Sequence, residues 1–344
     1  MSRSPKKMRI LLLSDGLPGH LSQSRGLVKW LEDRYSVEAS EVKIGLRYKP
    51  LARLILPYMT RYRRLAPLVM KFYRGVPDNL HATDLIVSAG GSTSFLNVAL
   101  AQRWEIPNIF LGSKRRLRSN DFTAHLTLEP TGEPHNIVMM VPPTMIEPQD
   151  LEHKGEELRQ SLGLAPDEKL NMLAIGGNGA GYRYDNHAVQ QLVDLMVREH
   201  QRTGKRWLLT TSRRTGSELE RKLRDTIPPE ILADSVWWSE SPRKVMGAYM
   251  GAADQLFVSA DSMSMIAEAI ASGKGTNILT PSNGNPSERY LRAIDRFTNY
   301  ALAEKVCLAD PQLGRVSHLS SVSYKDVVIC ELERLIPILP EHIV

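Results

Sequence analysis

The first regular pattern in the chain is a largely apolar run, Met8–Leu13, that stops at Ser14 and Asp15. Short apolar runs bounded by turn residues read as buried strands. The pattern recurs at Leu85–Ala89 and Asn108–Gly112, which with Met8–Ser14 gives three strands in the first half. The spacing between them turns helical over Ser22–Arg34 and Phe95–Arg103. The alternation then restarts. Strands are expected at Met172–Gly176, Trp207–Thr211, Ser235–Trp238, Gln255–Ser259 and Thr276–Thr280. A helix over His187–Arg202 is marked by Ala188, Leu192, Leu195 and Met196. Strands separated by helix-length segments imply βαβ units and parallel sheets. Between the halves lies Val141–Asp150, VPPTMIEPQD, with three prolines and no periodicity, which reads as a joint. The expected fold class is α/β: two Rossmann-like domains, residues 1–145 and 146–344, with parallel sheets facing across a cleft. A last helix over Lys325–Leu335 stops before Pro337 and is expected to pack back on the first domain over about residues 325–336.

Length agrees with two domains, since 344 residues exceed one small core. The two cysteines, Cys307 and Cys330, are far apart and have no ligand-spaced neighbours, which argues against a disulfide scaffold or a zinc site. Arg3, Lys6, Lys7 and Arg9 precede the first apolar run as in a secretory signal, but the run is too short and no small-residue cleavage site follows. No stretch approaches the roughly 18 apolar residues of a membrane span. A cytoplasmic or peripheral protein is expected.

Charge adds one feature. The formal net charge is +6, and nine lysines and arginines fall between Glu41 and Asp78 with no acid among them. Within it, residues 46–75, LRYKPLARLILPYMTRYRRLAPLVMKFYRG, mix leucines and tyrosines with arginines, and Pro50, Pro57 and Pro67 should cut the segment into short pieces. Such a mixture suits an anionic membrane surface, with Arg61, Arg63 and Arg64 as its patch. It also suits amphipathic helices whose arginines snorkel while packed on a sheet. Nucleic acid is not expected as a partner, because no nucleic-acid module motif is present.

Four loops leave strands where α/β proteins bind ligands. The first, SDGLPGHLSQSRGL, offers Gly16 and Gly19 for close backbone approach, His20 as a general base and Asp15 to orient it or to be the base. The same residues suit an ordinary strand-to-helix turn. The second, SAGGSTSFLNVALA, places Gly91, Ser92, Thr93 and Ser94 at a helix start, where hydroxyls cap. It is followed by GSKRRLRSND, whose Ser113 and Arg115 can meet an anion or simply face water. The third, IGGNGAGYRYD, carries Gly177, Asn178 and Gly179, and the next strand brings Thr210, Thr211, Ser212, Arg213 and Arg214, hydroxyls and guanidinium groups suited to a diphosphate or to an exposed loop. No register of G-x-G-x-x-G fits this loop and no Walker A pattern exists, so a nicotinamide enzyme or P-loop NTPase is not expected. The fourth is SADSMSMIAEAIASGK, residues 259–274. There Asp261 or Ser262 is expected to cap a helix that carries Ser264, and Glu268 follows Asp261 by two turns on nearly the same face.

A strand, then ADS, then EAIASGK before another strand resembles the nucleotide-sugar half of GT-B glycosyltransferases. Together with SDGLPGHLSQSRGL, GSKRR, LTLEP, IGGNGAGY and TTSRRTG, it makes most of the chain resemble the bacterial family related to the plant mitochondrial-fission factor Elm. The organisation is similar, more distantly, to the membrane enzyme that adds N-acetylglucosamine to the lipid precursor of peptidoglycan. That enzyme's H-x-x-P pattern is missing, because His20 is followed by Leu21, Ser22 and Gln23, so its substrate is not inherited.

The resemblance implies a GT-B-like fold and an inverting, metal-independent glycosyltransferase with no cofactor beyond a nucleotide-sugar co-substrate. The acceptor would be a lipid-linked or cell-envelope glycan such as lipopolysaccharide, at the cytoplasmic face of the inner membrane. His20 or Asp15 would deprotonate the acceptor, Gly19, Gly91, Ser92, Ser113 and Arg115 would bind it or its anionic groups, and Glu268 would hold the donor ribose. Gly177, Asn178, Gly179, Thr211, Ser212, Arg213, Asp261, Ser262 and Ser264 would surround the donor diphosphate and sugar. A non-catalytic membrane-recruitment adaptor and a nucleotide-sugar epimerase of the same fold are the alternatives.

Overall fold

A computed structural model describes residues 7–77, 79–313 and 324–336. These form two compact units, one running to Met145 and taking in the C-terminal helix, the other starting at Ile146.

The first unit contains β1 (Met8–Ser14), α1 (Pro18–Glu32), β2 (Val37–Lys43), β3 (Gly45–Leu46), α2 (Lys49–Met59), α3 (Ala66–Met70), β4 (Tyr73–Arg74), β5 (Leu85–Ala89), α4 (Ser94–Trp104), β6 (Asn108–Leu111), β7 (Ala124–Thr127) and β8 (Asn136–Val138). Its main sheet is wholly parallel, in the order β2-β1-β5-β6-β7-β8. The period-two geometry of a strand sends alternate residues of β1 to opposite faces. Ile10 and Leu12 join a core with Leu27 and Leu31 of α1, while Leu11 and Leu13 join a second core with Leu56 of α2 and Phe95 of α4. Covering both faces is what a parallel sheet requires.

The second unit contains α5 (Pro148–Ser161), β9 (Leu170–Ala174), α6 (Asn186–Thr203), β10 (Arg206–Thr210), α7 (Gly216–Thr226), β11 (Leu232–Val236), α8 (Met246–Ala252), β12 (Gln255–Ser259), α9 (Met263–Ala271), β13 (Gly275–Thr280), α10 (Glu288–Asn299) and β14 (Glu304–Cys307). Its sheet is also parallel, in the order β11-β10-β9-β12-β13-β14. The final helix, α11 (Tyr324–Leu335), packs in the first unit. Its Val328, Ile329 and Leu332 enter the core beside Trp30, and Arg34 ion-pairs with Asp326 at 2.6 Å.

In both sheets the chain reverses its direction of travel once, between β1 and β5 and between β9 and β12. The crevice beyond the carboxyl ends at such a switch point is where doubly wound sheets hold ligands.

Several boundaries differ from the sequence reading. Helix α1 begins at Pro18 rather than Ser22, because proline tolerates the first helical turn, where its missing N–H is not needed. His20 therefore stands in the first turn of a helix. Strand β11 begins at Leu232, three residues before the expected Ser235 and across Asp234, since its half-buried edge position tolerates polar residues. The prolines of the basic segment also behave differently: Pro50 and Pro67 open α2 and α3, but Pro57 lies inside α2 near its end.

Candidate functional site

Each switch point gathers a cluster of polar side chains. In the first unit, β1 ends at Ser14 and the chain turns through Gly16, at φ +80°, into α1. The Asp15 carboxylate accepts from the Leu17 amide at 3.2 Å and lies against His20, whose Nδ1 is 3.1 and 3.0 Å from its two oxygens. The Asp15 side chain is 7% exposed and that of His20 is 37% exposed. With Nδ1–H donated to a buried carboxylate, Nε2 is the imidazole nitrogen left to accept a proton.

The neighbouring strand β5 delivers Gly90 and Gly91 to the same place. Gly90, at φ +86°, lies under the His20 ring, and Gly91 lies under the Arg115 side chain, so close that a Cβ at either would overlap it. Asp15, His20, Gly91 and Arg115 are thus brought together. Gly19 occupies the first turn of α1 with open space around its α-carbon, so packing does not require a glycine there. Ser92 contributes a carbonyl that accepts from the Tyr73 hydroxyl at 3.0 Å, and Ser113 is exposed. The expected hydroxyl cap of α4 is not made. Thr93 and Ser94 instead turn back on the carbonyls of Gly90 and Gly91, at 2.9 and 3.0 Å. The basic cluster that follows is also partly spent: Lys114 pairs with Glu133, holding that carboxyl below its usual range, and Arg118 pairs with Asp121 at 3.2 Å. Arg115 is the member aimed at the glycine loop.

In the second unit the glycine-rich loop after β9 is packed rather than open. Cβ atoms at Gly176 and Gly179 would collide with the Asp261 carboxylate and the Arg214 guanidinium, and Gly177, at φ +112°, abuts the Arg214 backbone. Asn178 fixes the loop by accepting from the Tyr184 amide at 2.8 Å. Ser212 donates to the Gly176 carbonyl at 2.5 Å. Thr211 is buried, donates to Glu220 at 2.6 Å, and so serves the scaffold of its own strand end. Arg213 and Arg214 are both exposed, but the Arg214 guanidinium reaches the buried Asp261 carboxylate. The sequence offered Arg213 and Arg214 alike, and nothing in two consecutive arginines tells which one will meet Asp261.

Beyond β12, the Asp261 side chain is fully buried. One oxygen accepts from Ser259 at 2.6 Å, and the other lies 2.8 Å from Arg214 Nη2. Burial pushes this carboxyl up to about 6, with Ser259 and Arg214 opposing the shift. Asp261 therefore precedes α9 and does not cap it, nor does Ser262, whose hydroxyl lies 3.4 Å from that of Ser264. The expected side-chain cap is absent because Asp261 is committed to Arg214. The first amides of α9 thus carry no side-chain cap, the arrangement that favours an anion. Since Asp261 lies outside α9, the expected shared helix face with Glu268 does not form. Glu268 sits in the middle of α9, partly buried, with no hydrogen-bond or ion-pair partner among the described residues. Desolvation pushes its carboxyl up to about 7.

In the basic segment, Arg61 and Arg64 stand over the rings of Tyr58 and Tyr62, at 5.3 and 5.8 Å. Arg63 instead ion-pairs with Glu105 at 2.5 Å. Among the described residues no group of three metal-ligating side chains is present, and no helix is long and apolar enough to cross a membrane.

Two parallel six-stranded sheets, each with a polar cluster at its switch point, define a GT-B-like protein of two Rossmann-like domains. The chain belongs to the mitochondrial fission ELM1 family, whose model matches residues 18–324. Among solved structures it is similar to a UDP-GlcNAc 2-epimerase from Methanocaldococcus jannaschii, at 12% identity and a TM-score of 0.54 over 98% of this chain and 93% of the other. It also aligns with the ADP-heptose lps heptosyltransferase II of E. coli, at 12% identity and a TM-score of 0.47 over 96% and 99%. The first likeness carries the fold. No curated protein matches the sequence.

Proposed function

We propose that this protein transfers a sugar from a nucleotide-sugar donor to a lipid-linked or cell-envelope glycan, with inversion and without a metal ion. The observation that carries this reading is the Asp15–His20 pair at the first switch point. A buried carboxylate holds Nδ1, the ring is partly exposed, and Nε2 is left to take a proton. A single displacement at an anomeric carbon needs one base on the acceptor hydroxyl. In the second unit, Glu268 on α9 would accept from the ribose hydroxyls. The uncapped start of α9, with Ser262, Ser264, Ser212 and Arg213, would receive the diphosphate in place of a metal ion. Gly177, Asn178 and Gly179 shape that loop, and Asp261 holds Arg214 toward it. The structural relatives named above act on nucleotide sugars, which agrees with this donor class.

On the acceptor side, Gly19, Gly91, Ser92, Ser113 and Arg115 would contact the acceptor or its anionic groups. The acid-free basic segment, with Arg61 and Arg64 beside exposed tyrosines, supports a peripheral position on an anionic membrane, at the cytoplasmic face of the inner membrane.

Thermal-shift screening of nucleotides and nucleotide sugars tests the donor reading, because a ligand that binds only the folded state raises its stability. A ligand at 100 times its Kd should add about 2.7 kcal/mol. The hit is then offered with membrane extract, and the sugar followed into the lipid fraction. Epimerised free donor without transfer would assign the site to an epimerase. No stabilisation by any nucleotide would leave a recruitment adaptor.

A further inference from the structure

The acid-free segment folds into something more specific than a charged surface. Residues β3 and β4 pair antiparallel, Gly45 with Arg74 and Leu46 with Tyr73, and the Arg47 amide donates to the Phe72 carbonyl at 2.7 Å. This ribbon and the end of α3 border a shallow, open groove of about 450 Å³. Arg47, Lys71 and Arg74 line it, with Pro67, Met70 and Tyr73 supplying apolar wall. All three cations are exposed, and none pairs with an acid among the described residues. Tyr73 is buried, and its hydroxyl donates to the Ser92 carbonyl, which ties the groove frame to the loop whose Gly90 underlies His20.

Beside the groove, α2 turns an apolar stripe outward. Leu51, Leu54 and Tyr58 fall at the i, i+3, i+7 spacing of one helix face and are 48%, 58% and 55% exposed. The opposite face buries Ala52 and Leu56. A stripe of this kind, in a segment that carries nine cations and no acid of its own, is complementary to an anionic bilayer.

We propose that the groove of Arg47, Lys71 and Arg74 is a binding site for the phosphodiester headgroup of an anionic phospholipid, with α2 laid into the interface beside it. Three unpaired cations match the headgroup phosphate, Met70 and Pro67 face its glycerol carbons, and the stripe enters among the acyl chains. The proposal deepens the membrane part of the functional reading but not the donor part, because a chain that transfers no sugar would use the groove in the same way.

The test is binding to vesicles of phosphatidylcholine with 30% phosphatidylglycerol (about one lipid in three, a cytoplasmic-leaflet-like charge) and to phosphatidylcholine alone, at fixed ionic strength. Soluble glycerophosphoglycerol, the same headgroup without chains, serves as competitor. Wild type should bind only the anionic vesicles and be displaced by the competitor. The variant Arg47→Gln/Lys71→Gln/Arg74→Gln should bind about 100-fold more weakly, at about a fivefold loss per cation near such a surface, and ignore the competitor. A second variant, Arg53→Gln/Arg61→Gln/Arg64→Gln, loses the same charge outside the groove and should stay sensitive to the competitor. Equal losses in the two variants, with no competition, would mean a diffuse field and no headgroup site, while leaving membrane attachment itself intact. Binding of glycerophosphoglycerol without binding of vesicles would make the groove a site for soluble phosphate esters and overturn the assignment to lipid. All six substituted side chains are on the surface, and matching melting temperatures confirm that the variants fold.

Discussion

A Cβ on Gly90 would stand 2.1 Å from Nδ1 of His20, so the imidazole rests on bare backbone at the same nitrogen that meets the Asp15 carboxylate. Residues that follow two strands adjacent in the sheet but about 70 residues apart in the chain thus meet at one ring.

This contact predicts the behaviour of Gly90→Ala. At φ +86° a non-glycine residue costs about 1–2 kcal/mol, and the methyl group displaces the ring from Asp15. Turnover should fall by about 100-fold, the size of a misplacement near 1 Å, with nucleotide affinity unchanged. Unaltered turnover together with a lowered melting temperature would separate the fold requirement at Gly90 from any chemistry at His20.

Removing the proposed base gives a second expectation. His20→Ala should lower turnover by about 10²–10⁴-fold and leave donor binding intact in calorimetry. Asp15→Asn keeps the ring but releases the Nδ1 proton from a charged partner, so it should also slow turnover and alter the pH profile. A mild His20→Ala beside a severe Asp15→Asn would reverse the roles. Wild-type rates in both would remove this loop from catalysis.

What the sequence disclosed followed burial. The strands β1, β5, β9 and β12 are fully or nearly fully buried, so they read as apolar runs, and both candidate clusters hang from their ends. Strand β2 was not legible because it is a sheet edge with exposed Glu38, Ser40 and Glu41, and β7 hides a buried polar His125 that hydrogen-bonds Ser119 at 2.9 Å. The site residues were legible as types at strand ends but not as partners. That Gly90 faces His20 and that Arg214 rather than Arg213 meets Asp261 are contacts between distant segments. Local periodicity carries no record of them.

The arginines proposed to meet a membrane divide by their neighbours. Arg61 and Arg64 lie over exposed tyrosines, whereas Arg63 is held by Glu105. Reversing Arg61 and Arg64 to Glu should therefore release the protein from anionic vesicles, at about 1 kcal/mol for each basic residue removed and more for reversal. Arg63→Glu alone should add less than either, because its charge is already matched. Sedimentation with vesicles at two salt concentrations reads this. Binding that ignores both salt and the reversal would make these side chains a solvated helix face.

The buried Glu268 makes stability depend on pH and, on the proposed reading, binding as well. Burial holds its carboxyl at about 7, whereas an unfolded glutamate titrates near 4.3. Between these values the folded chain holds more protons than the unfolded one, so stability falls as pH rises through that window. By pH 8 the penalty reaches its full size, of order 3 kcal/mol. Glu268→Gln escapes it, and should melt above wild type at pH 8 and together with it at pH 4. Nucleotide binding should run the other way. A carboxylate accepts from ribose hydroxyls better than a carboxylic acid, so wild-type affinity should rise through pH 7. The Gln variant should be flat and weaker by about 1.5–3 kcal/mol above that point, the range of charge-assisted hydrogen bonds. A variant that gains stability at pH 8 yet binds nucleotide as tightly as wild type would leave Glu268 a buried acid of α9 with no part in holding the donor.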